Sequence, residues 1–239
     1  MVKTEPIFTI ITPTMGRPLI LKLKAALSLE TEIPFIHIIL WDKNKYSGED
    51  AVKKEDLVDD RTFCYEFNHP YHEYPKQRND VYLRAVGISI SNTPFITFFD
   101  EDTFPEPNHL SKIFRYMIIN KLDYTYCKRR MWRYDVGSSN LIEIGIDDFE
   151  AIGIKNSLGY RLIDNSSLYM RIETARKLIP LYLENQIYGD DRLVPDFLDG
   201  LSNVKGLRML EALVNHIAKP SLENFFIKGI SSNNNVLNV

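Results

Sequence analysis

The sequence predicts an α/β fold in which helices flank a mostly parallel, Rossmann-like central sheet. Two observations predict it. Short runs of β-branched and aromatic residues lack polar alternation, which indicates strands that are covered on both faces. Amphipathic helical stretches separate these runs in the order β-α-β-loop-β-α-β, which is typical of a doubly wound sheet. At 239 residues the chain is predicted to form a single domain.

The boundaries of the elements follow from the apolar runs and the residues that interrupt them. A first helix carries Ile20, Leu23 and Leu27 on one face. The strands are predicted at residues 7–11, 34–41, 62–67, 95–99, 124–128 and 167–170. Further helices are predicted at residues 75–90, 110–121 and 173–182, and from residue 190 onward. The domain is expected to consist of two halves, over residues 1–110 and 111–225, and a tail over 226–239.

The composition restricts the partners and the compartment. A net charge of −3 provides no general attraction for nucleic acid. No stretch of 18 uninterrupted apolar residues is present, so no transmembrane segment is predicted. Cys64 and Cys127 lie in apolar runs and match no metal or redox spacing, which favours free thiols in a reducing compartment. These features predict a cytoplasmic protein, and peripheral membrane contact stays open.

Acidic and polar residues follow three of the predicted strands. Thr12, Asp42 and Asp100 all stand at carboxyl ends of strands, the edge at which doubly wound sheets bind ligands. A buried strand is followed directly by the acidic residues Asp100, Glu101 and Asp102. Their carboxylates are hard oxygen ligands that could hold Mn²⁺ or Mg²⁺ together with a diphosphate. An ordinary acidic turn is the alternative interpretation of the same three residues.

These motifs resemble the GT-A glycosyltransferases, particularly their family two group. Four segments carry the resemblance, in the family's order. They are Ile10–Thr14 with Arg17, Ile39–Asp42, Arg84–Ile88 followed by Pro94–Asp102, and Gly189–Arg192. Ala85 and Asp190 depart from the usual Asn and Glu, and the stretch after Asp42 lacks the family's Asp-x-Ser-x-Asp pattern.

The resemblance implies a metal-dependent transfer of sugar from a nucleotide diphosphate, UDP being favoured, to a hydroxyl of a saccharide or lipid-linked acceptor. Inversion is expected, with Asp191 as the general base and Asp102 and His216 as metal ligands. The first half, residues 1–110, is expected to bind the nucleotide sugar, and the second half, residues 111–225, the acceptor. The donor is expected to contact the residues at the strand ends and on the helix that precedes the acidic motif. They are Thr12, Pro13, Thr14, Arg17, Asp42, Arg84, Asp100 and Glu101.

Alternatives stay open at the level of residues and of function. Asp190 and Asp191 could serve only as favourable charges at a helix start, and His216 could be structural. The patch of residues 128–133, KRRMWR, fits either phosphate contacts or a solvated face. A nucleotidyltransferase acting on a sugar phosphate, or an inactive protein that binds nucleotide sugars, is the alternative function. The loop after the first strand lacks the glycine-rich, basic character that a triphosphate site needs.

Overall fold

The computed structural model describes residues 5–43, 51–67, 79–135, 140–147, 163–184 and 190–218. Residues 79 and 190–192 are described by their backbone alone. The start of the helix predicted from residue 75 and the tail over 226–239 lie outside the described residues. None of the described helices is both long enough and apolar enough to span a bilayer.

The first half of the chain forms the parallel part of the sheet. Its strands are β1 (Phe8–Thr14), β2 (Phe35–Asp42), β3 (Thr62–Phe67) and β4 (Phe95–Phe98). They lie in the order β3-β2-β1-β4, and each neighbouring pair is parallel. The connecting helices are α1 (Leu19–Ser28), the one-turn α2 (Lys54–Leu57) and α3 (Asn79–Ile90). This topology confirms the predicted α/β class and the strand order up to residue 99, and the one-turn α2 lies where a loop was predicted.

The second half extends the same sheet with mixed pairing. Its strands are β5 (Thr103–Pro105), β6 (Tyr124–Tyr134), β7 (Leu141–Asp147), β8 (Leu168–Arg171) and β9 (Gly206–Ile217). The sheet continues β4-β8-β6-β9-β5, with β7 paired to the distal part of β6. The helices are α4 (His109–Asn120), α5 (Ile172–Lys177), α6 (Ile179–Glu184) and α7 (Asp190–Asp199). A single 3-10 turn, Asn165–Ser167, precedes β8.

The second half departs from the predicted elements in three places. The strand expected to end at residue 128 continues through the basic patch to Tyr134. The helix expected over residues 173–182 is divided at Leu178 into α5 and α6, and Pro180 in the first turn of α6 has no amide hydrogen to donate. Strands β5, β7 and β9 lie where no strand was predicted. The division into halves near residue 110 stays a prediction.

Apolar layers cover both faces of the sheet. Ile11 and Phe98 face the layer formed with α3, α5, α6 and α7, while their chain neighbours Ile10 and Phe99 face the layer formed with α1 and α4. Successive side chains of a strand point to opposite faces, so strands buried on both sides need uninterrupted apolar runs. Gly87 of α3 lies so close to β1 that an added Cβ would be 2.4 Å from Ile11.

Two buried histidines lie in this framework. His109 at the start of α4 contacts the rings of Phe99 and Tyr169, and His37 in β2 bonds through Nε2 to the Thr12 hydroxyl at 2.9 Å. Burial lowers the pKa of each imidazole to about 3. Both side chains therefore stay neutral in the folded protein at pH values where the unfolded chain has begun to protonate them.

We predict that stability falls as the pH is lowered from 7 to 5. The unfolded state takes up protons near pH 6.5 and the folded state does not, which costs about 2 kcal/mol of unfolding free energy per buried histidine. His109→Phe keeps a ring between Phe99 and Tyr169 and should reduce this loss by about 2 kcal/mol. Urea denaturation at both pH values measures it. An unchanged pH dependence in the variant would mean that His109 protonates in the folded state.

Candidate functional site

The predicted site residues meet at the carboxyl edge of β1, β2 and β4. Thr14 and Asp42 end their strands at this edge, because Thr14 pairs in register with Trp41. The acidic motif Asp100–Asp102 follows β4 at the same edge, since β4 pairs in parallel with β1. Parallel pairing thus brings the β1–α1 loop and the acidic motif together. The proximity that the sequence predicted for these segments is confirmed.

Glu101 fastens the acidic motif to the β1–α1 loop. Its carboxylate, 4% exposed, accepts hydrogen bonds from the Thr14 hydroxyl and from the backbone amides of Met15 and Arg17 at 3.3 and 3.4 Å. It also pairs with the Arg17 guanidinium. Gly16, with φ of 88°, donates its amide to the Thr14 hydroxyl at 2.9 Å. Glu101 is therefore occupied by the protein itself, as an anchor for the loop.

Arg84 of α3 fixes the first aspartate of the motif. Its guanidinium donates from Nη2 to Asp100 Oδ1 at 2.6 Å and from Nη1 to Asp80 Oδ2 at 2.9 Å. Asp80 lies one helical turn before Arg84, so α3 supplies both members of that pair. The Arg84 side chain is only 2% exposed, whereas Asp100 is 36% exposed. A buried cation thus holds a carboxylate that faces the cleft, by which we mean the solvent-accessible space at the carboxyl edge of β1, β2 and β4.

Asp102 lies between two cationic or potentially cationic groups. Arg17 Nη2 is 3.6 Å from Asp102 Oδ2, and His216 Nδ1 is 3.7 Å from Asp102 Oδ1. His216 also bonds through Nδ1 to the hydroxyl of Thr103, its register partner, at 3.0 Å. Strand β9 therefore delivers His216 to the acidic motif. The two residues predicted as metal ligands are brought side by side.

Sequence analysis missed two residues of this site, Arg129 and Asp164. Asp164 precedes the 3-10 turn, where its Oδ1 accepts the Ser166 amide at 2.8 Å. Its Oδ2 is 2.5 Å from Arg129 Nη1, and the Ser166 hydroxyl accepts the Asp100 amide at 3.3 Å. Arg129 belongs to the basic patch. It is 4% exposed and paired with carboxylates. Arg129 therefore does not lie on a solvated face, and its guanidinium is not available to contact phosphate.

Among the residues that the structure describes, carboxylates outnumber guanidinium groups around the cleft. The acidic groups are those of Asp80, Asp100, Glu101, Asp102 and Asp164, and the guanidinium groups are those of Arg17, Arg84 and Arg129. Burial, together with Asp102, Asp164 and Asp80, raises the pKa of Asp100 to about 6 against the opposing effect of Arg84. The described carboxylates of the site therefore exceed its described guanidinium groups by two.

Four further predicted residues lie in the strands near this edge or at the start of α7. Thr12 is fully buried and bonds to His37, so its hydroxyl points into the sheet. Pro13 lies in β1 opposite Leu40, and Asp42 is 2% exposed at the end of β2. Asp191 lies in the first turn of α7, where only the backbone is described. The helix predicted to begin at residue 190 is confirmed, and the role of Asp191 as a general base stays a prediction.

The donor chemistry of the cleft fits a divalent cation bound together with a diphosphate. Among the described residues, no three histidine, cysteine or acidic side chains form a metal-binding cluster of their own. Magnesium sites at substrate phosphates commonly use one or two protein carboxylates, the remaining ligands being phosphate and water. Asp100 and Asp102 meet that need.

We predict that Glu101→Gln lowers the free energy of unfolding by about 2 kcal/mol, because a buried anion with several donors is lost. The new amide group also confronts Arg17. Urea denaturation measures the change. Glu32→Gln is the matched control, since Glu32 pairs with Arg115 on the surface at 3.2 Å and should have little effect. Equal stabilities of the two variants would exclude Glu101 as the anchor of the loop.

Comparison with known proteins identifies the fold. No family model and no curated protein sequence matches the chain. Among solved structures, S. aureus TarS 1–349 superposes with a TM-score of 0.59 and 14% sequence identity, over 88% of this chain and 60% of that one. TarS 1–349 in complex with UDP-GlcNAc and with UDP each gives a TM-score of 0.57 at 14% identity, over 89% of this chain and 58% and 61% of those chains. The chain thus spans about 60% of TarS 1–349, and it has the GT-A, Rossmann-like glycosyltransferase fold.

Proposed function

We propose that this chain is a glycosyltransferase that moves a sugar from a nucleotide diphosphate, with UDP as the favoured nucleotide, to an acceptor hydroxyl. The observation that carries the proposal is the pair Asp100 and Asp102 at the end of β4, each beside its own arginine. This pair lies at the ligand-binding edge of a fold that TarS shares, and TarS binds UDP-GlcNAc and UDP. The fold alone would not support a function, but the site within it does.

A divalent cation, Mn²⁺ or Mg²⁺, would be held by Asp102 with Asp100 assisting, and His216 adjoins the same carboxylate. When bound, it would act as a Lewis acid on the charge that develops on the departing diphosphate. Arg84 holds Asp100, which is 36% exposed, and Arg17 lies 3.6 Å from the largely buried Asp102. Because Glu101 is engaged with the loop, its part in donor binding is to shape that loop.

The transfer breaks the bond between the anomeric carbon and the β-phosphate oxygen and forms a bond from that carbon to the acceptor oxygen. The nucleoside diphosphate leaves with the electron pair of the broken bond. The hydroxyl proton passes to a carboxylate, for which we propose Asp191 in the first turn of α7. Attack from the face opposite the leaving group inverts the anomeric carbon. The acceptor is a saccharide or a lipid-linked hydroxyl, and membership of the family two group belongs to the same proposal.

We predict that UDP raises the melting temperature of the protein, and that Mn²⁺ enlarges this shift. Asp102→Ala should abolish the metal-dependent part, since a ligand stabilises only the state that binds it. His216→Ala should weaken it if the imidazole joins the metal. A thermal-shift screen of UDP, GDP, dTDP and CDP with and without Mn²⁺ tests this. Asp123→Asn, which removes a carboxylate near Arg171, is the control.

No shift with any nucleotide would reject the transferase proposal. Release of pyrophosphate from a nucleoside triphosphate and a sugar phosphate would instead establish a nucleotidyltransferase. Nucleotide-sugar binding without transfer or donor hydrolysis would identify an inactive binding protein.

We predict that Asp191→Asn keeps donor affinity and lowers turnover by about 10²- to 10⁴-fold, the range of general-base catalysis. Calorimetry with the donor and steady-state kinetics separate the two effects. Asp196→Asn on the exposed side of the same helix is the matched control and should leave turnover near the wild-type value. Wild-type turnover in Asp191→Asn would remove this residue as the base.

A further inference from the structure

Arg129 connects three segments of the second half through charge. Its Nε and Nη2 bond to Asp147 Oδ2 at 3.0 and 2.5 Å, and its Nη1 is 2.5 Å from Asp164 Oδ2. These residues belong to β6, to the end of β7 and to the turn before β8. One guanidinium thus holds two carboxylates in its planar fork, an arrangement that a lysine could not reproduce.

The two carboxylates differ in their access to the cleft. The Asp147 side chain is 1% exposed, whereas that of Asp164 is 18% exposed. Asp164 Oδ1 accepts the amide of Ser166, and the Ser166 hydroxyl accepts the amide of Asp100. Asp164 therefore lies at the cleft beside the acidic motif, and Asp147 lies behind Arg129.

Stability alone does not account for this network. Burying a guanidinium and a carboxylate costs desolvation energy that apolar residues would not incur. Asp164 Oδ1 accepts the Ser166 amide and Oδ2 accepts Arg129, so the carboxylate is fixed from two directions. A carboxylate offers about four acceptor positions, so both oxygens keep capacity for a hydroxyl group.

We infer that Asp164 binds a hydroxyl group of the donor sugar, and that Asp147 positions it through Arg129. The inference rests on the proposed function and deepens it, because it assigns recognition of the sugar, as distinct from the nucleotide, to the turn before β8. Asp147 touches no substrate. Its effect on binding passes through the orientation of Arg129 and hence of Asp164.

The test uses calorimetry in the presence of Mn²⁺ to compare the affinity for UDP with the affinity for a UDP-sugar. The UDP-sugar is the one of UDP-GlcNAc, UDP-glucose and UDP-galactose that the wild type binds. Asp164→Asn should weaken UDP-sugar binding about tenfold, the loss expected for one charge-assisted hydrogen bond, and leave UDP affinity unchanged. Asp147→Asn should weaken the UDP-sugar about three- to tenfold by loosening Arg129. Arg129→Lys keeps the positive charge but lacks the planar guanidinium that binds both carboxylates. If Asp147→Asn does not fold, Arg129→Lys is measured in its place.

The double variant separates positioning from a general structural role. If Asp147 acts through Asp164, Asp147→Asn with Asp164→Asn binds the UDP-sugar no more weakly than Asp164→Asn alone. The inference would be overturned if the fold-losses of UDP-sugar affinity in the two single variants multiplied in the double variant. Equal losses of affinity for UDP and for the UDP-sugar would overturn it too, as would wild-type UDP-sugar affinity in Asp164→Asn. Asp123→Asn at the opposite end of β6 is the control and should change neither affinity. Failure of the wild type to bind any UDP-sugar would reject the proposed function itself, and the inference with it.

Discussion

The site depends first on the contact between Glu101 and the β1–α1 loop. Parallel pairing of β1 and β4 brings the two segments to one edge, but it does not fix the backbone of either. Glu101 does so by accepting the loop amides and pairing with Arg17, and Arg17 in turn reaches Asp102. A carboxylate in the middle of the acidic motif thus organises the loop. Of its two neighbours, Asp100 is 36% exposed, and Asp102 is largely buried between Arg17 and His216.

Charge is arranged in two layers around this contact. The buried arginines Arg84 and Arg129 form the outer layer, and each holds a more exposed carboxylate towards the cleft: Arg84 holds Asp100, and Arg129 holds Asp164. Among the described residues of the site, acidic groups remain in excess of arginines. Such a cleft is poorly suited to a bare diphosphate and well suited to a diphosphate that carries a divalent cation.

The sequence predicted the parallel half of the fold well, because both faces of those strands are covered and their apolar runs are unbroken. It also predicted that Thr12, Asp42 and Asp100 would converge at the strand ends, and the resemblance to GT-A glycosyltransferases implied that Arg17 and Arg84 lie there too. It failed on β9, where Arg208 and Glu211 interrupt the apolar pattern, and on the extent of β6, where the basic patch resembles a surface segment. The partners that bury Arg129 lie at least 18 residues away in sequence, so no local pattern could indicate them.

The parallel pairing of β6 with β9 couples two parts of the cleft. Met131 pairs with His216 and Arg129 with Val214, while irregular pairing between Tyr126 and Arg129 adjusts the register just before them. Because side chains alternate between faces, a shift of one residue would turn Arg129 or His216 to the other side of the sheet. Single-residue insertions and deletions in either strand should therefore be far less tolerated than substitutions. Natural variation in length is expected to be confined to the loops that precede and follow these two strands.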